Sequence, residues 1–490
     1  MAGKGRVSGA HVPRGWMRLA ACPAQQTAIS LLCLTVVVVS RVANPQSKKR
    51  EGHLEEKRSH KLRTAVLIAL ALVVACAGCL LANKLLQPLI EELAKYNDIQ
   101  YGQTNDLLVG SDGTLHVLYS VYARSDSHWV DDVVCTGYAS SSEDGSWQVE
   151  PLGGRAPEAY TLLEGEDGTL HAVYSVARGP TYARRSPGGE WEEFEGLFDV
   201  SGRVGGVALD EEGAMHVSHA HHANEEDRLE PSDWRFDYSY RRGDGRFETR
   251  LIEVSSSLLA LEFGPGDDSK VVIDSSGAAH LIVDVEGLFA VPTKIVHYRV
   301  EPGNGALVEP TLVTDRLSTG GLDMAIDGQD NLYVVFSSEV WDSEANESIP
   351  ALKLACSGDG GANWQDEVVA LCDGNLSVPS VAVDSSGGVH ASYLCAPGSY
   401  SLQYAYRAAG AGAWQTEEVA SAERLYEASL DLDPSGRPLV LYASSATPMV
   451  EMSEDGLIID LQLARRAGAG GWAIDTVLSG SEPLRSLALD

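Results

Sequence analysis

Helical periodicity is missing from most of this chain. Over residues 104–490 no stretch repeats its apolar residues every three or four positions, which excludes a helical bundle or a coiled coil. Cysteine is scarce, and eight in 490 residues do not make a disulfide scaffold. Cys22, Cys33, Cys76 and Cys79 belong to the N-terminal stretch. Cys135, Cys356, Cys372 and Cys395 are spaced 16 residues or more apart and show no zinc pattern. Either Cys356–Cys372 or Cys372–Cys395 is a conceivable pair. Cations are scarce beyond residue 63, where 25 Lys and Arg stand against 66 Asp and Glu, a net of −41. A surface this acidic repels phosphates, so nucleic acid is not an expected partner. It favours solubility and permits cation binding. No cofactor is expected, and a divalent metal has the charge alone in its favour.

What the chain does have is one pattern written seven times. A short apolar strand, a D-x-x-G-type turn and a second apolar strand recur as LLVGSDGTLHVLY, TLLEGEDGTLHAVY, VALDEEGAMHVSH, VVIDSSGAAHLIV, MAIDGQDNLYVVF, VAVDSSGGVHASY and LDLDPSGRPLVLY. The copies fall 45–64 residues apart, and a fragment of an eighth, SLALD, ends the sequence at Asp490. Such a period marks a repeat architecture. Each repeat holds four strand signals. Strand A precedes the turn and strand B follows it. Strand C carries a YA-x-R pattern, and strand D begins at an aromatic: Trp147, Trp191, Phe247, Trp364, Trp414 or Trp472, with Leu307 in the fourth repeat. Four antiparallel strands repeated about seven times predict an all-β fold, a seven-bladed β-propeller over 104–490, with six or eight as the adjoining counts.

The N-terminus is of another kind. Residues 1–63 form a basic leader, expected to be disordered, with 12 Lys and Arg against 3 acids. Thr64 to Ala82 follow as nineteen uncharged residues, enough for one apolar helix across a bilayer. Basic residues before it and an acidic domain after it predict a membrane contact with the repeats outside the cytoplasm. The stretch also resembles a bacterial lipoprotein signal, in which Cys76 or Cys79 would be lipidated. A signal or anchor that starts some sixty residues into the chain predicts translation from a start downstream of Met1. Residues 83–103 read as a spacer.

SGDGGANW, Ser357 to Trp364, matches the pattern S-x-D-x-G-x-x-W, and SEDGSW, Ser142 to Trp147, is a contracted copy. Residues 104–490 thereby resemble the BNR/Asp-box propellers of the sialidase-like superfamily. In that family the Asp-box is a structural hairpin between strands C and D, so no catalytic role passes to Asp359. The family's Arg-Ile-Pro motif is absent here. The recurrent arginines, read as Arg184, Arg241, Arg407 and Arg465, are better explained as scaffold than as a carboxylate clamp. The strand B histidines, His116, His171, His216, His280 and His390, recur once per blade, too far apart to share an ion, and are expected to make buried hydrogen bonds near the preceding turn.

Sites are expected where the repeat fails. Strand A–B turns are uniform, whereas the B–C connections vary: 22 residues separate His116 from Tyr138 but 11 separate His171 from Tyr182. B–C and D–A loops share one face of a propeller, which makes that face the candidate binding surface. His219, His221 and His222 interrupt the third repeat beside Glu225, Glu226 and Asp227, a density of imidazole and carboxylate that suits a metal or a polar loop. Trp129, Trp234 and Trp341 lie in B–C connections, each near an Asp, and suit stacking on a sugar or anchoring a protein. The expected function is a binding module for an extracellular glycan or protein. A glycoside hydrolase is the alternative, although nothing singles out a pair among 66 acids.

Overall fold

The computed structural model describes residues 99–479 apart from 125–130, 143–144, 154–159, 177–178, 195–201, 223–233, 242–246, 253–263, 287–292, 303–305, 318–320, 344–345, 397–398, 446–458 and 468–469. The leader, the apolar segment 64–82 with Cys76 and Cys79, Trp129 and the terminal SLALD lie outside the described residues. Of His221, His222 and Trp234 only the backbone is described.

Twenty-eight strands form seven four-stranded antiparallel sheets. Blade 1 holds β1 (Ile99–Val109), β2 (Leu115–Arg124), β3 (Asp131–Ser141) and β4 (Trp147–Gly153). Blade 2 holds β5 (Tyr160–Glu164), β6 (Leu170–Val176), β7 (Gly179–Arg185) and β8 (Glu192–Phe194). Blade 3 holds β9 (Gly202–Leu209), β10 (Met215–His222), β11 (Trp234–Arg241) and β12 (Phe247–Ile252). Blade 4 holds β13 (Gly264–Ile273), β14 (Ala279–Glu286), β15 (Thr293–Val300) and β16 (Thr311–Leu317). Blade 5 holds β17 (Leu322–Ile326), β18 (Leu332–Asp342), β19 (Glu347–Ser357) and β20 (Gln365–Leu371). Blade 6 holds β21 (Asn375–Val383), β22 (Val389–Ala396), β23 (Tyr400–Arg407) and β24 (Gln415–Ala422). Blade 7 holds β25 (Arg424–Leu432), β26 (Pro438–Ser445), β27 (Asp460–Arg466) and β28 (Trp472–Leu478). β1 begins inside the stretch read from sequence as a spacer.

The strands of every sheet are consecutive in sequence, so the first and last blades are each complete without borrowing a strand. The inner strands β1, β5, β9, β13, β17, β21 and β25 neighbour one another in a closed ring, with β25 against β1. One buried apolar cluster fills each of the seven joints between blades. At the closing joint Leu107, Val117 and Tyr119 of blade 1 pack against Leu441, Leu461 and Leu463 of blade 7. A single blade exposes both faces of its sheet, and stacking buries them at about 1.5–3 kcal/mol per large apolar side chain.

The repeated turn is fixed by its own side chains. In blade 6 the Asp384 carboxylate accepts from the Ser386 and Gly388 amides, both at 2.8 Å, while Gly387 takes φ 82°. The histidines complete the set. His390 Nε2 lies 3.2 Å from Asp384, and its Nδ1 lies 2.6 Å from the Tyr404 hydroxyl. His216 repeats the arrangement with Asp210 and Tyr238. His280 repeats it with Asp274, but His297 replaces the tyrosine. His116 and His171 keep the tyrosine partners Tyr138 and Tyr182. Burial lowers the pKa of each of these imidazoles, so they stay neutral; His216, His280 and His390 bridge turn to strand C, while His116 and His171, whose turns open on Gly110 and Gly165, bond to strand C.

The inner edges of four blades are capped by the blade before them. In blades 1, 5, 6 and 7 the residue four positions before the turn accepts from an amide of the following inner strand. Asp106 accepts from Leu162 N at 2.8 Å, Asp323 from Val381 N at 2.9 Å, Ser380 from Leu430 N at 3.3 Å and Ser429 from Leu107 N at 3.2 Å. Lys270 holds this position in blade 4 and pairs with Asp323 at 3.6 Å. Gly206 holds it in blade 3, where a Cβ would fall 2.6 Å from the Lys270 Cα. The seam between blades 7 and 1 carries three further bonds: Asn105 donates to Glu427 O, Val109 N donates to Asp431, and Ser429 donates to Asp106.

The recurrent arginine needs a one-residue correction. In the structure the equivalent positions are Arg185, Arg241, Arg407 and Arg466, two residues beyond Ala183, Ser239, Ala405 and Ala464, while blade 4 has Val300 there and its Arg299, opposite His280, matches Arg184. Arg185 pairs with Glu150, Arg407 with Glu367 and Arg466 with Glu417, each on strand D of the preceding blade. Arg184 and Arg465 instead pair within their own blades, with Glu192 and Asp475. The doubled Arg184-Arg185 and Arg465-Arg466 hid the register in the sequence.

Candidate functional site

The B–C connections and D–A connections emerge on one face, and the turns after strand A on the other. The longest described B–C hairpin belongs to blade 5, where β18 and β19 pair without a break from Leu332↔Ser357 to Asp342↔Glu347. Trp341 stands near its tip, 61% exposed. An indole left this open is available for stacking.

The third-blade residues are placed differently. His219 is fully buried in β10, with Nε2 2.9 Å from the Ser239 hydroxyl of β11. Its ring therefore points into the blade joint and not toward solvent. The backbones of His221 and His222 continue β10 opposite Arg235 and Trp234. Among the described residues no group of three or more His, Cys, Asp or Glu is placed to hold a metal ion.

A cavity of about 540 Å³ opens on the B–C/D–A face between blades 6 and 7. Its walls come from five places that the topology brings together, Ser399 of the β22–β23 connection among them. The end of β24 and its connection to β25 supply Ala420, Ser421, Ala422 and Glu423. The end of β26 supplies Ser444 and Ser445, and the start of β27 supplies Asp460 and Gln462. Leu425 and Tyr442, both buried, close the apolar side, and burial pushes the Tyr442 phenol up to about 12. Asp460 is oriented by Ser479, which donates to it at 2.9 Å. No Lys, Arg or His is among the described lining residues, so the site offers hydroxyls, an amide and two carboxylates. The sequence reading missed this cavity, since alanines and serines at strand ends carry no motif.

The hairpin from Ser357 to Trp364 is held by its own side chains. Ser357 donates to Asp359 at 2.8 Å and accepts from Gly361 N at 2.9 Å, and Asp359 also accepts from Asn363. These bonds, first those from Asn363, hold the Asp359 carboxyl down at about 2. Trp364 Nε1 donates to Gly361 O at 3.0 Å, which folds the indole over the hairpin.

Closed sheets, radial joints and a loop-face cavity define the molecule as a seven-bladed β-propeller. No protein-family model and no curated protein matches the chain. Among solved structures it is similar to a protein of unknown function from Dyadobacter fermentans, at 11% identity and a TM-score of 0.42, covering 65% of this chain and 94% of that one. It is also similar to an ulvan lyase of polysaccharide lyase family PL25, at 12% identity and a TM-score of 0.44, covering 79% and 95%. A third is virginiamycin B lyase from Staphylococcus aureus, at 11% identity and a TM-score of 0.42, covering 70% and 94%.

Proposed function

We propose that this chain is a membrane-tethered binding module whose propeller lies outside the cytoplasm and takes its ligand on the B–C/D–A face. The observation that carries the reading is where the reactive groups are spent. The strand B imidazoles of five blades are bonded to strand C, three of them to the turn as well, while the cavity on the loop face is lined by groups that bind. The uncharged stretch from Thr64 to Ala82 supports the tether, whether as a lipoprotein signal ending at Cys76 or Cys79 or as an uncleaved helix. The Ser357 to Trp364 hairpin supports kinship with BNR/Asp-box propellers that lack the sialidase motifs. Exposed Trp341 supports a glycan or protein ligand. Glu423 and Asp460 in one cavity keep glycoside hydrolysis as the second reading.

Purified full chain in mild detergent, screened on glycan and peptide arrays, is expected to bind a restricted set of ligands. It is expected to leave sialosides and other glycosides uncleaved. No array signal, together with turnover lost in Glu423→Gln, would replace the binding module by the hydrolase.

A further inference from the structure

The cavity sits where a disulfide lies one joint earlier. Cys372, just after β20, is bonded to Cys395 of β22 and ties blade 5 to blade 6. The pairing registers superpose the two joints. Ala370 opposes Leu352 on strand C as Ala420 opposes Leu402, which makes Cys372 the counterpart of Ala422. Leu376 opposes Cys395 as Leu425 opposes Ser444, which makes Cys395 the counterpart of Ser444. The same registers match Ser401, opposite Cys395, to Asp460, opposite Ser444. The joint between blades 6 and 7 thus replaces a cystine by Ala422 and Ser444, and the space the bridge would fill is part of the cavity. It also replaces a serine by a carboxylate facing that space.

From this we infer that the cavity between blades 6 and 7 is a binding site for a hydroxylated ammonium ligand, an amino sugar in its simplest form. The inference rests on the binding-module reading and gives it a ligand class. About 540 Å³ suits a mono- or disaccharide-sized molecule. Ser421, Ser444, Ser445 and Gln462 match hydroxyls, and Glu423 and Asp460 match an ammonium group. The net charge of −41 beyond residue 63 draws cations toward the mouth and repels polyanionic saccharides.

The test compares glucosamine, N-acetylglucosamine and glucuronate by calorimetry on the full chain in detergent. Glucosamine is expected to bind at least about tenfold more tightly than the other two, which lack the ammonium. Asp460→Asn is expected to weaken it about tenfold. Ala422→Cys with Ser444→Cys rebuilds the neighbouring joint's bridge in the cavity. Once mass analysis shows that bridge, glucosamine binding is expected to vanish while the unfolding temperature holds or rises. Glucosamine bound no better than N-acetylglucosamine, or bound equally by the bridged variant, overturns the inference. If array ligands still bind the bridged variant in that case, the binding module stands with its site elsewhere, for instance at Trp341. Silent arrays would remove the module itself.

Discussion

Asp106 shows how a single carboxylate joins three blades. It accepts from Leu162 of blade 2 and Ser429 of blade 7. Burial pushes its pKa up to about 6, against the pull of those bonds and of Lys270, and burial does the same to Asp431. A raised carboxyl pKa means that the folded state holds its proton longer than the unfolded chain. This contribution to stability is full below about 4 and is lost as pH rises through 6. Asp106→Asn keeps an acceptor and cannot ionise. It is expected to gain about 1 kcal/mol over the parent at pH 7 and nothing at pH 4, read by denaturant unfolding at both values. The imidazoles act in the opposite sense. Burial lowers His297 to about 3, so its share of stability is complete above 6.5 and drains away as pH falls below that. His297→Gln is expected to flatten the acid limb of the unfolding temperature. Nothing in the sequence marks Asp106, because the position four before the turn holds Asp, Thr, Gly, Lys, Asp, Ser and Ser in the seven blades. The capping of a neighbour's amides links only Asp106, Asp323, Ser380 and Ser429 in that mixed column.

At the scale of the element, the turns and hairpins divide by what surrounds them. Gly113 takes φ 84° and has no atom within 4 Å of the place a Cβ would occupy, whereas Gly361, at φ 86°, would put its Cβ 2.0 Å from the His297 ring. Gly113→Ala is expected to cost about 1–2 kcal/mol, the strain of a left-handed residue alone. Gly361→Ala is expected to cost more, adding about 1–3 kcal/mol of overpacking at the joint of blades 4 and 5. Equilibrium unfolding of the two variants side by side checks the difference. The Cys372–Cys395 bridge spans 23 residues, and replacing both by Ala is expected to cost about 2–4 kcal/mol. Cys356, whose thiol burial pushes up to about 11, is expected to resist alkylation in the folded protein, as peptide mapping would show. Strands and turns were legible because Asp and Gly recur where the backbone needs them. The disulfide was legible only as one of two pairs, since separation along the chain does not say which strand ends meet. The cavity left no mark, because Ala422 and Ser444 gain meaning only beside Cys372 and Cys395.

For the whole molecule, seven complete sheets stacked on seven apolar joints made the architecture readable from the repeat alone. What the repeat could not tell is how the ring closes. Blades 1 and 7 keep their own four strands, and the closing joint relies on packing and on the bonds from Asn105, Leu107 and Val109. Ser429→Ala with Asp431→Ala is expected to cost about 1–3 kcal/mol and to raise hydrogen exchange first in β1 and β25. The same closure has a mechanical side. Tension applied through the chain before Ile99 would enter at the innermost strand, along the seam, and pull β1 lengthwise past β25. Seam bonds and the β1–β2 ladder would then share the load in shear and fail together, instead of peeling one at a time. A chain held and pulled at its N-terminal end would be gripped along this bonded seam, while the outer strand β28 stayed unstressed.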